Sequence, residues 1–343
     1  MAIQKYNTQA QRTAVLAGEI IAHAIPTEVL GNSMRQLKMP KNKSNTLVVR
    51  SWVPYGGTVG APNKFVIDDA KHLTTEGVTP AADTIVARDV TFNIKQYMCL
   101  YAFTDVEYDL YEDDIPAAMK EQTGERMGLV REMVLYGALK ACTNIFYAGG
   151  SGRASVVDRI TVTLLQKIVR GLNASHAKPV SDVLSPSPDT KTQGIERAFV
   201  AYCHTDCESD VRALTNFVST VEYGTRKLVS DHELGTWQNI RFVLSPDLPP
   251  IVDAGAAVGS TGNLSTSGTL SDVYPMIFMA KDAAAQMTLR GMEVMTPIFV
   301  PPTSNAADPG GQRGYVGSKF YYTAGILNDG WMAVAETTVA SLA

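Results

Sequence analysis

The side chains with the most chemical potential form a short run, Cys203-His204-x-x-Cys207, with His232 downstream. Thiolate and imidazole are zinc ligands, and a zinc site wants four of them at suitable spacing. Here the run straddles an element boundary. Cys203 ends an apolar, strand-like stretch (198–203), and Cys207 falls in the first turn of an expected helix. Free cysteines of this kind ordinarily serve as small core residues, and no metal is expected. A second cluster, Glu107, Asp109, Glu112, Asp113 and Asp114, offers the oxygen ligands that hard cations take. It lacks the spaced ligands and glycine of an EF-hand loop, so it reads as a solvated acidic face that caps a helix and meets partners. Ser260, Ser265, Ser267 and Ser271 have no histidine or acid placed to activate them. Walker A, G-x-S-x-G, H-E-x-x-H and dinucleotide signatures are all missing. No enzymatic activity and no cofactor are expected.

Just after the acidic cluster comes the longest periodic stretch, residues 113–150. Asp113 and Asp114 can cap its start, and Pro116 suits a first turn. Ile115, Met119, Met127, Val130, Val134, Ala138, Ala141 and Ile145 recur at three- and four-residue steps, which predicts one apolar face. Glu121, Glu125, Arg131 and Glu132 are expected mostly off that face. A helix of about 30 residues spans about 45 Å. It is either a long core helix or a beam across an extended subunit.

The chain has 343 residues, with 45% hydrophobic and 19% charged side chains. That is a folded composition, in a chain beyond the usual size of a single core. A net charge of −4 argues against a protein whose work is gripping nucleic acid, though not against one that encloses it. No signal peptide or bilayer-length apolar run is expected. Four cysteines make no disulfide framework, which points to a soluble protein made in a reducing cytoplasm.

Charge is unevenly placed. Residues 1–50 carry seven basic side chains, including Arg35, Lys38, Lys41 and Lys43, against two acidic ones, a net +5. Residues 51–114 reverse this with eleven acidic side chains, including Asp68, Asp69 and Glu76, against four basic ones, a net −7. The basic start reads as an arm lying on another surface or as a poorly ordered terminus. The two segments are expected to pair, within a chain or between neighbours. Strand-like runs at 46–53, 84–92 and 96–103 flank a turn-rich excursion at 54–62, predicting a projecting β-loop with little core of its own.

Thr161 followed by Leu164, Leu165, Ile168, Val169 and Leu172 predicts a second helix. Thr205-Asp206-Cys207-Glu208 predicts a capping box opening a third through Val211, Leu214 and Val218. With strands at 198–203, 240–244 and 273–280, the region 155–290 reads as an α/β unit. Strand-like runs at 294–300 and 318–335 close the chain.

The order of these parts, together with local motifs, resembles the major capsid protein of tailed bacteriophages, specifically the N-four-like family within the Hong Kong 97-type capsid fold. The most specific stretch is Asp308-Pro309-x-x-Gln312-Arg313-Gly314-x-Val316-Gly317-x-Lys319-Phe320-Tyr321-Tyr322, followed by Ile326-Leu327-Asn328-Asp329. Ser245-Pro246-x-Leu248-Pro249, Asp253-Ala254-Gly255, Asp272-Val273-Tyr274-Pro275 and Thr104-Asp105 also match. The resemblance implies an α+β fold with an N-terminal arm (1–45), an extended β E-loop (46–102), a peripheral domain with a long spine helix (103–154 and 291–343), and an α/β axial domain (155–290). It implies a coat protein that self-assembles into pentamers and hexamers of an icosahedral shell around double-stranded DNA, without sequence-specific binding. Expected partners are further copies of the chain, a portal protein, and scaffolding and decoration proteins. Assembly is expected in the host bacterial cytoplasm, the final location is the virion capsid, and no membrane is involved. Expected subunit contacts are Arg35, Lys38, Lys41, Lys43, Asp68, Asp69, Glu76, Gln312 and Arg313. Some members of the fold join a lysine to an asparagine between subunits. Lys64 and Lys71 with Asn305 or Asn328 form no identifiable reactive set, and no cross-link is expected. The competing reading with the same fold is an encapsulin-like nanocompartment shell.

Overall fold

The computed structural model describes residues 27–342 apart from 60–61, 64, 66, 75, 80–81, 111–113, 182–196, 224–227, 229, 260–261, 293–295 and 307. Lys64, Glu112, Asp113, Ser260 and the part of the expected arm before Thr27 therefore lie outside the described residues. The first half contributes strands β1 (Arg35–Met39), β2 (Thr46–Trp52), β3 (Ala87–Asn93) and β4 (Lys95–Thr104), helices α1 (Asp105–Leu110) and α2 (Ile115–Lys140), then β5 (Ile145–Tyr147) and α3 (Val162–Ala174). Next come β6 (Phe199–His204), α4 (Glu208–Arg212), β7 (Phe217–Ser219), β8 (Glu233–Trp237) and β9 (Ile240–Ser245). The chain closes with β10 (Tyr274–Met279), β11 (Ala284–Leu289), β12 (Thr296–Val300), β13 (Arg313–Ile326) and β14 (Met332–Thr337).

Strands β6 and β10 are apolar at nearly every position because both of their faces are covered. Phe199, Ala201 and Cys203, with Met276 and Phe278, join the core beneath α3 and α4. The alternate residues Val200, Tyr202, Ile277 and Met279 join the core around α2. These strands lie near the middle of a seven-stranded sheet ordered β5-β14-β10-β6-β9-β8-β7. A five-stranded sheet is built on β13, which pairs with β4 along one edge and with β11 and β12 along the other, β1 adding in parallel to β11. Helix α2 is wedged between the two sheets, sharing its core with residues of both.

The helix begins where its cap predicts. Asp114 Oδ1 accepts from the Ala117 N–H at 3.1 Å. It ends earlier than expected, at Lys140, after 26 residues. At the usual rise per residue its length is about 39 Å. The early stop has a tertiary cause. Ile145-Phe146-Tyr147 pairs in parallel with β14, and such β-branched and aromatic residues gain more from a ladder than from another helical turn. The buried face also differs from the predicted stripe. Met127, Leu135, Tyr136 and Leu139 are buried, Val130 and Val134 are half-buried, and the charged Glu132 is 1% exposed. A helix covered on two sides has a buried arc wider than a single stripe.

What covers Glu132 is the segment 27–34, which runs as a strap over α2. Glu132 Oε1 accepts from the Val29 and Leu30 N–H groups, both at 3.0 Å. Next to it, Gln286 on β11 donates to the Gly31 carbonyl at 3.0 Å and accepts from Arg131 at 3.0 Å and from the Tyr322 hydroxyl at 2.6 Å. The strap also reaches the seven-stranded sheet, where the Tyr202 hydroxyl donates to Ser33 Oγ at 2.7 Å and Thr27 N–H donates to Asp247 at 2.6 Å. One peptide segment thus ties together the helix and both sheets.

The second helix is as expected, with Thr161 Oγ1 accepting from Leu164 N–H at 3.3 Å and Leu164, Leu165, Ile168 and Leu172 buried. The third is much shorter than expected. His204, not Thr205, caps its 3-10 turn by accepting from Asp206 N–H at 3.1 Å. The helix stops at Arg212, because Asn216 turns with φ 65° and sends Phe217 and Val218 into β7.

Removing the Glu132 carboxylate leaves two buried donors without an acceptor. Glu132→Ala is expected to cost the isolated subunit about 2–5 kcal/mol. The exposed Glu121→Ala on the same helix should stay within about 0.5 kcal/mol of the parent. Denaturant unfolding of both variants checks this.

Candidate assembly surface

The groups singled out for chemistry are placed as follows. Cys203 and Cys207 are both 0% exposed in the core between β6 and α4. Burial pushes the Cys203 thiol up to about 12 and the Cys207 thiol well above its ordinary value. That is opposite to what a metal-binding thiolate needs. His204 Nδ1 is occupied as a helix cap, and the His232 side chain is exposed. Among the described residues no three His, Cys, Asp or Glu side chains gather as a metal site. In the acidic cluster Asp114 caps α2, while Glu107 turns inward from α1. Glu107 is 1% exposed, and neither carboxylate oxygen has a hydrogen-bond partner in the structure. Burial raises its pKa, an effect partly opposed by the nearby Thr104 backbone.

The motif residues behind the resemblance are positional. Gly314 on β13 lies under the Phe103 ring of β4, and a Cβ there would collide with it. Asp272 is fully buried and accepts from Asp253 N–H at 2.9 Å and Thr266 N–H at 2.8 Å, while Asp253 accepts from Leu270 N–H at 2.8 Å. Two of the matching stretches are thereby one hydrogen-bonded loop. Asn305 and Asp308 close a turn with backbone bonds of 3.0 and 3.1 Å. None of these side chains faces a pocket suited to a substrate.

The outward surface is more informative. β2 and β3 form a two-stranded ribbon in register from Thr46↔Asn93 to Trp52↔Ala87. On one side Leu47, Val49, Val90 and Phe92 pack on Met39, Ala285 and Met287. On the other side Arg50 holds Asp89 in a two-pronged pair at 2.8 Å. That guanidinium, by its hydrogen bond, keeps the Asp89 carboxyl below the usual carboxylate range. Beyond the ribbon, residues 53–86 form an irregular loop in which Ile67 is 69% exposed, Leu73 82% and Ile85 77%. With Trp52 at 65%, this is a run of large apolar groups left exposed among the described residues.

All nine expected contact residues are exposed. Arg35 and Lys38 lie on β1, and Lys41 and Lys43 in the turn after it. Asp68 and Asp69 open a 3-10 turn at Asp69–His72, with Asp68 accepting from Ala70 N–H at 3.2 Å, and Glu76 sits in a turn with Gly77. Gln312 and Arg313 begin β13, where the Gln312 carbonyl accepts from Asp105 N–H at 3.2 Å. Residues 27–39, within the expected arm, are built into the body through the strap and β1. Sequence reasoning missed Glu132 and Gln286, whose polar character gave no sign of burial, and the pairing of Asn63 with Asn328.

Solved structures resemble this arrangement along its full length. The Cyanophage Pam1 capsid asymmetric unit matches with a TM-score of 0.64 at 13% identity, covering 98% of each chain. The fold is that of phage capsid proteins. The capsid of Ralstonia phage GP4 follows at TM-score 0.63 and 12% identity, over 98% of this chain and 97% of that one. The capsid of Cyanophage P-SCSP1u gives 0.60 at 11% identity, over 95% and 93%. No protein-family model and no curated protein sequence matches the chain. The ribbon packs on the two-sheet body through its apolar side, and β1 belongs to that body through its pairing with β11.

The raised Glu107 carboxyl gives a pH prediction for the subunit. A group that holds its proton more tightly when folded costs stability once the pH exceeds its folded pKa, and the cost fades as pH falls towards the unfolded value. Glu107→Gln is therefore expected to raise Tm at about pH 7, with the gain shrinking by about pH 4. Thermal melts of both proteins across that range check it.

Proposed function

We propose that this chain is the major coat protein of a tailed bacteriophage and assembles into pentamers and hexamers of an icosahedral shell around double-stranded DNA. The observation that carries the reading is the end-to-end match to capsid subunits, 98% of each chain for one of them. The finer assignment, to the N-four-like branch of the Hong Kong 97-type fold, rests on the motifs around Gln312-Arg313-Gly314 and Asp272-Val273-Tyr274-Pro275. On this reading the β2–β3 ribbon and the loop 53–86 are the E-loop, α2 is the spine helix, and the seven-stranded sheet carries the axial domain. The protein is not an enzyme and takes no cofactor. Its partners are further copies of itself, a portal protein, and scaffolding and decoration proteins, and assembly takes place in the host cytoplasm.

Physical support comes from the surface. Basic side chains on β1 and its following turn, and acidic ones on the loop, are exposed in a single subunit. They can steer neighbours into register with individually weak contacts that a closed shell multiplies. Enclosing DNA needs no basic groove, in keeping with a net charge of −4.

Expression of the full chain, with a scaffold supplied, is expected to give closed particles by electron microscopy. Dispersed monomers under every condition would refute the shell reading, and particles packaging a cargo enzyme in place of DNA would move it to a nanocompartment. Mature particles boiled in denaturant are expected to run as a single monomer band. Asn328 is already engaged by Asn63, and a ladder of subunits would show that a covalent link forms after all.

A further inference from the structure

Among the described residues, the loop 53–86 meets its own subunit in a hydrogen-bonded contact at Asn63. Asn63 and Asn328 face each other as reciprocal amides, Asn63 Nδ2 donating to Asn328 Oδ1 at 2.9 Å and Asn328 Nδ2 donating to Asn63 Oδ1 at 2.6 Å. The receiving amide is fixed in advance, because Asn328 Oδ1 also accepts from Gly330 N–H at 3.1 Å as the cap of the 3-10 turn Asp329–Trp331. Two residues along the loop, the Phe65 ring meets His176 edge-on, with centroids 4.8 Å apart. The Trp331 indole N–H donates to the Ser175 carbonyl at 2.9 Å, holding the surface beside that ring. Gly330 completes the seat: a Cβ there would land on the Asn63 amide nitrogen.

These contacts are specific but small. One amide pair and one ring pair anchor a segment whose other large apolar groups, Ile67, Leu73, Val78 and Ile85, stay exposed among the described residues. A segment held this way is stable enough to have a defined place and weak enough to leave it when a larger surface is offered.

We propose that Asn63 and Phe65 form a latch that parks the loop on its own subunit before assembly, and that a second copy of the chain releases it by covering its apolar residues. The parked state stands on the geometry alone, whereas release by a second copy rests on the shell function proposed above. The latch competes with assembly: it hides the loop in the free subunit and slows the first subunit contacts.

Hydrogen exchange on the unassembled full-length subunit tests the parked state, using Asn63→Ala on the loop side and Gly330→Ala on the seat side. Gly330 lies outside the left-handed region, so the backbone accepts a methyl group there. Both variants are expected to exchange about tenfold faster in peptides from 53–86, the scale of losing one or two net hydrogen bonds. Peptides from β10 and β14 should be unchanged. Unaltered exchange in the loop would overturn the latch. Light scattering then follows assembly, and both variants are expected to form particles faster or at lower concentration than the parent. Loosened exchange with slower assembly would also overturn the proposal, because the contact would then belong to the assembled state. If the parent protein forms no particles under any condition, the shell reading and release by a second copy fail together, while loop exchange still decides whether the parked contact exists.

Discussion

The structure depends on one buried carboxylate. Glu132 sits in the middle of a helix between two sheets, where an ionised group without partners would cost several kcal/mol. Two backbone N–H groups of the strap meet it, and the strap then has its own path fixed by Gln286, Tyr202 and Asp247. The arrangement is reciprocal. The helix needs the strap to satisfy its acid, and the strap, which has no α-helix or strand of its own until β1, needs the acid to satisfy its backbone. Hydrophobic packing supplies most of the stability, but it is tolerant of small shifts. The hydrogen-bonded strap is not, and it ties α2 to both sheets through Glu132, Gln286, Tyr202 and Asp247.

This also explains which parts of the fold are legible in the sequence. Helix α3 has a single covered face and a solvated back, so its spacing and its Thr161 cap can be read directly. Strands β6 and β10 are covered on both faces and announce themselves as unbroken apolar runs. Helix α2 is covered on two sides, so its periodicity is blurred and its predicted face is rotated away from Leu135 and Leu139. Its C-terminus and the truncated helix after Thr205 are decided by strand pairing with distant partners, β14 and β8, which no local pattern records. The same holds for the candidate surface. Charge asymmetry is visible as composition, and all nine candidates are exposed. The burial of Glu132 and Gln286 and the meeting of Asn63 with Asn328 need the chain to be folded first.

The exposed loop follows from the same economy. A segment rich in glycine, proline and acidic residues cannot bury its few large apolar groups in a core of its own. A monomeric protein would have little reason to keep Trp52, Ile67, Leu73 and Ile85 on its outside. Under the proposed shell function, those residues are the half of an interface that a neighbouring copy completes. Trp52 lies on the ribbon, which packs on the body through Leu47, Val49, Val90 and Phe92, and Ile67, Leu73 and Ile85 lie on the loop beyond it.

Identity of 11–13% with capsid subunits at TM-scores of 0.60–0.64 is then understandable. This chain meets the fold with doubly covered apolar strands, a glycine beneath the Phe103 ring, a buried Asp272 that folds its loop and a polar strap across a helix. Each can be met by many residues, so the sequence drifts while the geometry stays. The matching residues serve the backbone: Asp272 accepts from two N–H groups of its loop, and Gly314 leaves room for the Phe103 ring.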